Sequence, residues 1–173
     1  MSRNVARNVT QTVAQTAAAP ATAPADQGYL LDTSVISELA PGRQNHPIQA
    51  VTEWFSTHDA RLYLPTIAVA ELAQGIEKLS RSGGAERAQR LDFWLNGLIE
   101  GFGERILSLD PAVARLAGQM SDAAIAIGRH PGFADIAIAA TAQHHQLTLL
   151  TRNLKHFQPL GVACADPFVR VPS

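Results

Sequence analysis

Two acidic residues stand where a carboxylate could take part in chemistry rather than face solvent. Asp32 ends the short apolar run 29–31, and small hydroxyl residues follow it before a helical pattern begins. Asp135 is the only charged residue in the stretch 132–142. Carboxylate oxygens are the ligands that Mg²⁺ prefers in proteins. If these side chains converge, the chemistry they predict is the binding of a divalent cation.

Asp32 has a structural alternative, because an aspartate before a helix often caps free N–H groups and stabilises by about 1 kcal/mol. However, Thr33 and Ser34 already offer hydroxyls for that task. A carboxylate at the end of a central strand would be partly desolvated, which is unfavourable without a partner. In open α/β sheets this edge is also where ligands bind. We therefore predict a functional Asp32.

The sequence around Asp135 favours a functional carboxylate, whereas the sequence around Glu71 does not. Asp135 falls in the first turn of a helix that is apolar nearly all round and therefore buried. The helix dipole favours a carboxylate there by up to about 1 kcal/mol but does not remove the cost of burial, whereas a bound cation would. Glu71 points away from the apolar stripe at 69, 72, 73 and 76, so periodicity alone favours a solvated side chain.

The elements that must position these residues alternate regularly from Gly28 onward. Strands separated by helices imply a mainly parallel sheet covered on both faces, which is an α/β fold. The predicted strands are 29–31, 61–64, 106–109, 147–150 and 161–164. The predicted helices are 34–39, 47–57, one opening at Pro65-Thr66 and ending before the turn at 82–84, one reaching 99, one from Asp110-Pro111 to about 128, and 133–145.

Length and composition indicate one folded domain with an extension. The chain has 173 residues, and residues 1–27 are rich in Ala, Thr, Gln and Pro with few charges. Such a segment cannot bury enough surface to offset its ordering entropy, so we predict a disordered extension at 1–27 and a folded domain at 28–173. Fourteen basic and fifteen acidic residues give a net charge of −1, so nucleic-acid binding would need a local basic patch.

Several classes of site lack support in the sequence. The single cysteine, Cys164, excludes an internal disulfide and a cysteine zinc cluster, which favours a reducing, cytoplasmic compartment. No apolar run approaches the roughly 18 residues that span a membrane. The six histidines show no zinc-ligand spacing. Nucleophile-elbow and phosphate-loop motifs are missing as well, so those chemistries are not predicted.

Four segments, taken together and in order, resemble the motifs of a known family. Leu30-Leu31-Asp32-Thr33-Ser34-Val35-Ile36-Ser37-Glu38 resembles the opening motif of PIN-domain proteins, specifically the VapC/FitB-like toxins of bacterial toxin–antitoxin pairs. The second, third and fourth motifs correspond to residues 70–76, 134–142 and 150–157. The resemblance covers about residues 28–165.

The resemblance implies a PIN-like three-layer sandwich, with a mainly parallel central sheet flanked by helices. It implies an endoribonuclease that depends on Mg²⁺ or Mn²⁺ and cleaves RNA phosphodiester bonds. We expect Asp32 and Asp135 to bind the metal directly, and Glu71 to bind it through water or to position the attacking water. Asn153 completes the predicted catalytic set. A cognate antitoxin would block the toxin, a homodimer is expected, and DNA would be contacted only through the antitoxin. Exposed apolar surface on the helices at 34–57 and 67–79 would suit both protein partners.

The fourth motif departs from the family pattern. Asn153 stands where many PIN domains have Asp, and His156 stands where several close relatives have Asp. Ser34 replaces a usual Asn. A second metal would then be held more weakly. Two alternatives follow: a weakly active or inactive module that acts through its antitoxin, and a metal-dependent phosphatase or DNA nuclease. Arg152 and Lys155 could bind phosphates or be ordinary solvated charges.

Overall fold

The computed structural model describes residues 28–42 and 49–172. The predicted extension at 1–27 and the predicted helix start at Pro47 lie outside these ranges.

Five parallel strands form one sheet at the centre of the fold. They are β1 (Tyr29–Leu31), β2 (Leu62–Pro65), β3 (Ile106–Leu107), β4 (Thr148–Leu150) and β5 (Cys164–Ala165). The strand order is β3-β2-β1-β4-β5, and every neighbouring pair is parallel. The predicted parallel α/β fold is confirmed, and β1 is its central strand.

Helices cover both faces of the sheet, as predicted. Within the described ranges they are α1 (Thr33–Glu38), α2 (Gln49–Thr57), α3 (Thr66–Arg81), α4 (Ala85–Phe102), α5 (Pro111–Ala126), α6 (Phe133–His144) and α7 (Leu154–Phe157). Because side chains alternate along a strand, Leu31 packs in the core beside α1 and α2, whereas Leu30 packs beside α6 and α7. The result is a three-layer sandwich. None of these helices is long and apolar enough to cross a membrane.

Two predicted strands differ from the observed strands by more than one residue at an end. The third stops at Leu107, because its partner β2 ends at Pro65 and the Leu109 N–H donates to the Thr66 hydroxyl instead. The fifth lies at Cys164–Ala165 rather than at 161–164, because Gly161 ends a 3₁₀ turn with φ +74°. That left-handed backbone is available to glycine and breaks an extended strand.

Asp110 supplies a pH-dependent cap to α5. Its carboxylate accepts the Val113 N–H at 2.8 Å, and this hydrogen bond is the main cause that lowers the pKa of Asp110 below 3.8. A lowered folded-state pKa adds stability above the unfolded-state pKa, and this stability is lost as the pH falls through the folded-state value. We expect Asp110→Asn, which keeps a capping oxygen without the charge, to be less stable than the parent protein at neutral pH.

The difference in stability should shrink as the pH falls below 3.8, the ordinary pKa of aspartate. Thermal melts across a pH series measure it. Asp122→Asn is the matched control, since this exposed residue lies in the interior of the same helix. A stability difference for Asp110→Asn that is independent of pH would contradict the assignment of a charged cap.

Candidate active site

The strand order changes direction between β1 and β4, and this switch point lies beside Asp32. Strands β2 and β3 lie on one side of β1, and β4 and β5 lie on the other. Asp32 directly follows β1 and Thr151 directly follows β4. The Asp32 N–H donates to the Leu150 carbonyl at 2.9 Å and joins the two strand ends. Ligands of open parallel sheets bind at such a switch point.

The Asp32 carboxylate is buried, with a residue exposure of 4%, and is held by hydroxyl groups. Its Oδ2 accepts hydrogen bonds from Ser34 Oγ at 2.5 Å and from Thr151 Oγ1 at 2.7 Å. Its Oδ1 accepts none from any residue that the structure describes. Hydrogen bonds to a carboxylate offset part of its desolvation. The arrangement therefore orders the carboxylate and leaves one oxygen available to a ligand.

The capping alternative does not apply to this carboxylate. Asp32 occupies the N-cap position of α1, but its side chain makes no capping hydrogen bond. The two hydroxyls that were expected to cap the helix donate to carboxylates instead, Ser34 to Asp32 and Thr33 to Glu71. The Asp32 carbonyl accepts the first N–H groups of the turn. The first turn of α1 thus serves to arrange acidic side chains.

Thr151 is a member of the site that its sequence context did not single out. Its side chain is fully buried, and its hydroxyl donates to Asp32 while accepting the Asn153 N–H at 2.9 Å. The hydroxyl thereby connects the loop after β4 to the carboxylate after β1. The one available signal was its position directly after an apolar run, the same position that singled out Asp32.

Glu71 lies against α1, although periodicity favoured a solvated glutamate. The Thr33 hydroxyl donates to Glu71 Oε2 at 2.5 Å, and the glutamate is half-buried. A cavity of about 190 Å³ is lined by both residues and also by Arg87 and Trp94 of α4. The solvated interpretation is therefore wrong, because packing of α3 on α1 covers a face that the helix pattern marks as polar.

Asp135 occupies the first turn of α6, as predicted, but at the rim of the core. Its side chain is 28% exposed and lies 3.3 Å from Nδ1 of His156. The seven residues that follow it in the helix are all buried. Helix α6 leads directly into β4, so its first turn lies at the carboxyl edge of the sheet, where Asp32 also lies.

The fourth motif forms the loop after β4 and the short helix α7. Asn153 is the N-cap residue of α7, and its side chain makes no capping hydrogen bond. Asn153 gives this position an uncharged amide, and His156 pairs with Asp135. Arg152 forms a salt bridge with Glu38 and lies over the Phe168 ring, with its Cζ 5.7 Å from the ring centroid. The Arg152 side chain thus fastens the loop to α1 and to the C-terminal segment.

The predicted acidic residues suit a hard cation in kind, but they do not form a closed cluster. In the described part of the chain, no three His, Cys, Asp or Glu side chains are grouped so that they could hold one ion. Mg²⁺ keeps several waters and needs only one or two carboxylates. The residues therefore fit a cation anchored on Asp32, with water completing its shell, and not one enclosed by three protein ligands.

We expect Thr151→Val to destabilise the fold by about 1–3 kcal/mol, because it leaves the buried Asp32 carboxylate and the partly buried Asn153 N–H with fewer hydrogen bonds. Thr148→Val, at the start of the preceding strand β4, is the matched control. The Thr148 hydroxyl is buried and makes no hydrogen bond to a described residue, so its removal should be neutral or stabilising. Urea unfolding measures both variants. Equal destabilisation of the two would contradict the role given to the Thr151 hydroxyl.

Comparison with known proteins assigns the chain to a family. The PIN domain model matches residues 29–159. The chain is 34% identical over 139 residues to Toxin FitB of Neisseria gonorrhoeae, across 80% of this chain and 97% of that protein. It is 31% identical over 140 residues to a VapC ribonuclease of Sinorhizobium fredii, across 80% of this chain and 96% of the relative.

Solved structures show the same fold. FitAcB from Neisseria gonorrhoeae is similar with a TM-score of 0.70 and 35% identity, covering 81% of this chain and 98% of that one. DNA-bound VapBC from Salmonella typhimurium matches in fold alone, with a TM-score of 0.63 and 24% identity over 81% of this chain and 98% of its own. The matched domain, the parallel sheet and the four motifs together place the chain in the PIN-domain family.

Proposed function

We propose that this chain is a Mg²⁺- or Mn²⁺-dependent endoribonuclease and the toxin of a toxin–antitoxin pair. The observation that carries the proposal is the buried Asp32 carboxylate at the switch point, with one oxygen held by two hydroxyls and the other unused by the described residues. A buried carboxylate is unfavourable without a counter-charge, and a bound cation would supply one. Relatives named as a toxin and as a ribonuclease support the same function.

In the proposed site, Asp32 and Asp135 would hold the ion directly, and Glu71 would bind it through water or position the attacking water. When bound, the ion stabilises negative charge on the phosphoryl oxygens and lowers the pKa of its water. Ser34 and Thr151 keep the Asp32 carboxylate in one orientation, and Thr33 does the same for Glu71. Asn153 at the start of α7 offers an uncharged amide that can orient water, but it adds no negative charge.

The proposal includes a cognate antitoxin, a homodimer and contact with DNA through the antitoxin alone. A FitAB structure, 33% identical to this chain, was solved bound to a DNA fragment. Among the described residues, the large exposed apolar side chains do not lie on the helices at 34–57 and 67–79, where they were predicted. They include Phe93 of α4, where a cavity of about 860 Å³ is bordered by Phe93 and Trp94. Phe93 is 81% exposed, which is unusual for so large an apolar side chain.

Purified protein freed of its antitoxin should cleave single-stranded RNA when Mg²⁺ is present and not in EDTA. Gel analysis of labelled RNA measures the cleavage, and Asp32→Ala controls for a contaminating ribonuclease. Cleavage that persists in EDTA, or in the Asp32→Ala protein, would contradict the proposal. A parallel assay with DNA and with a phosphate monoester separates the ribonuclease from the phosphatase and DNA nuclease alternatives.

One second function is favoured by a specific observation, the replacement of the fourth acidic position by Asn153. With less negative charge to hold a cation, the chain could act mainly as a module that binds its antitoxin and regulates their operon. The same RNA assay discriminates between the two functions. If the chain binds its antitoxin but does not cleave RNA with Mg²⁺ or Mn²⁺, it acts as an antitoxin-binding module.

A further inference from the structure

A basic cleft lies beside Asp135, and its lining shares no residue with the lining of the cavity beside Glu71. It has a volume of about 250 Å³ and separates the loop before α6 from the helix α7. Its lining includes Arg129 and His130 from the loop, and Lys155 and His156 from α7. Asp135 is the one acidic side chain in this lining. We use the name basic cleft for this set of five residues.

The basic cleft contains two permanently charged basic residues, Arg129 and Lys155, that are available to bind an anion. Arg129 and Lys155 are exposed, and neither side chain forms a salt bridge or hydrogen bond with a residue in the described ranges. Arg152 differs, because its guanidinium is bound to Glu38 and lies over an aromatic ring. The sequence pattern did not distinguish Arg152 from Lys155, whereas their contacts do. The fold also brings Arg129 to Lys155 across 26 positions of the chain.

We propose that the basic cleft binds a backbone phosphate of the RNA substrate next to the phosphodiester that is cleaved. The inference rests on the proposed function, and it names Arg129 and Lys155 as the side chains that position the strand. Arginine presents a planar fork that matches phosphate oxygens, and lysine acts as a mobile point charge. The chain as a whole has a net charge of −1, so binding of a polyanion requires a local basic surface of this kind.

The cavity on the Glu71 side does not offer an equivalent site. It carries a single cation, Arg87, together with apolar side chains that include Leu72 and Trp94. A phosphate there would face the Glu71 carboxylate with one counter-charge. The RNA backbone is therefore expected to approach Asp32 from the Asp135 side. Specificity would then depend on the loop at 129–132 and on α7.

The test uses a binding measurement that does not require cleavage. In an Asp32→Asn background and in EDTA, fluorescence anisotropy measures the Kd for a short fluorescein-labelled single-stranded RNA. Adding Arg129→Gln and Lys155→Gln should weaken binding roughly 10- to 100-fold. The slope of log K against log salt should decrease by about 0.7 for each phosphate that these cations no longer neutralise. In the otherwise parental chain, the same pair should raise KM for RNA much more than it lowers kcat.

The matched control is Arg81→Gln with Arg115→Gln, which removes the same charge from exposed positions on α3 and α5. An equal loss of RNA binding in this control would show a general charge effect and overturn the proposal. Unchanged RNA affinity, salt slope and KM in the cleft variant would also overturn it, while the nuclease function stands. Weaker antitoxin binding with unchanged RNA binding would overturn it too and assign the cleft to the protein partner. No RNA binding by any version, together with no RNA cleavage by the parent protein in Mg²⁺, would contradict the proposed function itself.

Discussion

Asp32→Asn should abolish metal-dependent RNA cleavage while the protein stays folded. The amide is nearly isosteric and keeps an oxygen that can accept the hydroxyls of Ser34 and Thr151. Removal of a buried charge should leave the metal-free protein equally stable or more stable. Removal of a partner that only orients a metal ligand lowers activity or affinity roughly 10- to 100-fold, so removal of the proposed ligand itself should lower cleavage by at least about 100-fold.

Two measurements check this result, single-turnover cleavage of labelled RNA and thermal melts with and without Mg²⁺. The parent protein should gain thermal stability from the ion by mass action, and the Asp32→Asn protein should gain none. Glu77→Gln is a control, because this exposed residue lies on α3 at the surface. Retained cleavage in Asp32→Asn, or an unchanged response to Mg²⁺, would mean that Asp32 is not the anchor of a cation.

Asp135→Asn should also abolish cleavage, and its effect on stability distinguishes a ligand from a structural residue. The carboxylate is 28% exposed and its partner His156 is 48% exposed. Exposed ion pairs contribute about 0–1 kcal/mol, so the metal-free variant should unfold at nearly the same temperature as the parent. The variant should nevertheless lose the stabilisation that Mg²⁺ gives the parent.

Melts in EDTA and in Mg²⁺, together with the RNA assay, test this prediction. A large loss of stability in EDTA would identify Asp135 as a structural residue that holds the start of α6. His156→Gln helps the comparison, because it removes the ion pair and leaves the carboxylate. If His156→Gln lowers stability as much as Asp135→Asn while cleavage continues, the pair serves the fold rather than the chemistry.

Much of the fold follows from local patterns in the sequence. The run 29–31 is apolar at every position and ends on Asp32, which is the pattern of a strand buried on both faces of a parallel sheet. The turn at 82–84 marks the end of α3, because its glycines do not continue a helix. Asp110-Pro111 marks the start of α5, because aspartate caps a helix and proline suits its first position. The predictions fail where a partner decides the outcome, as at Leu109, whose N–H binds the Thr66 hydroxyl instead of a strand.

The roles of hydroxyl groups and cations could not be predicted in the same way. Threonine occurs both on surfaces and in cores, and most arginines and lysines are solvated surface charges, so these residue types carry little information until their neighbours are known. The Thr151 hydroxyl matters because β4 lies next to β1, a neighbour relation that joins residues 119 positions apart. Lys155 and Arg152 are three residues apart, yet one is available to a phosphate and the other is bound to Glu38.

The sequence by itself determined the parallel α/β fold and the two aspartates at its edge, because strand burial and an isolated charge in an apolar helix leave local patterns. The tertiary structure decided what those carboxylates contact. It joined Asp32 to Thr151 at the switch point and brought Glu71 to Thr33 by packing α3 on α1. It also paired Asp135 with His156. Such contacts depend on strand order and helix packing, which link distant positions and leave no periodic signal along the chain.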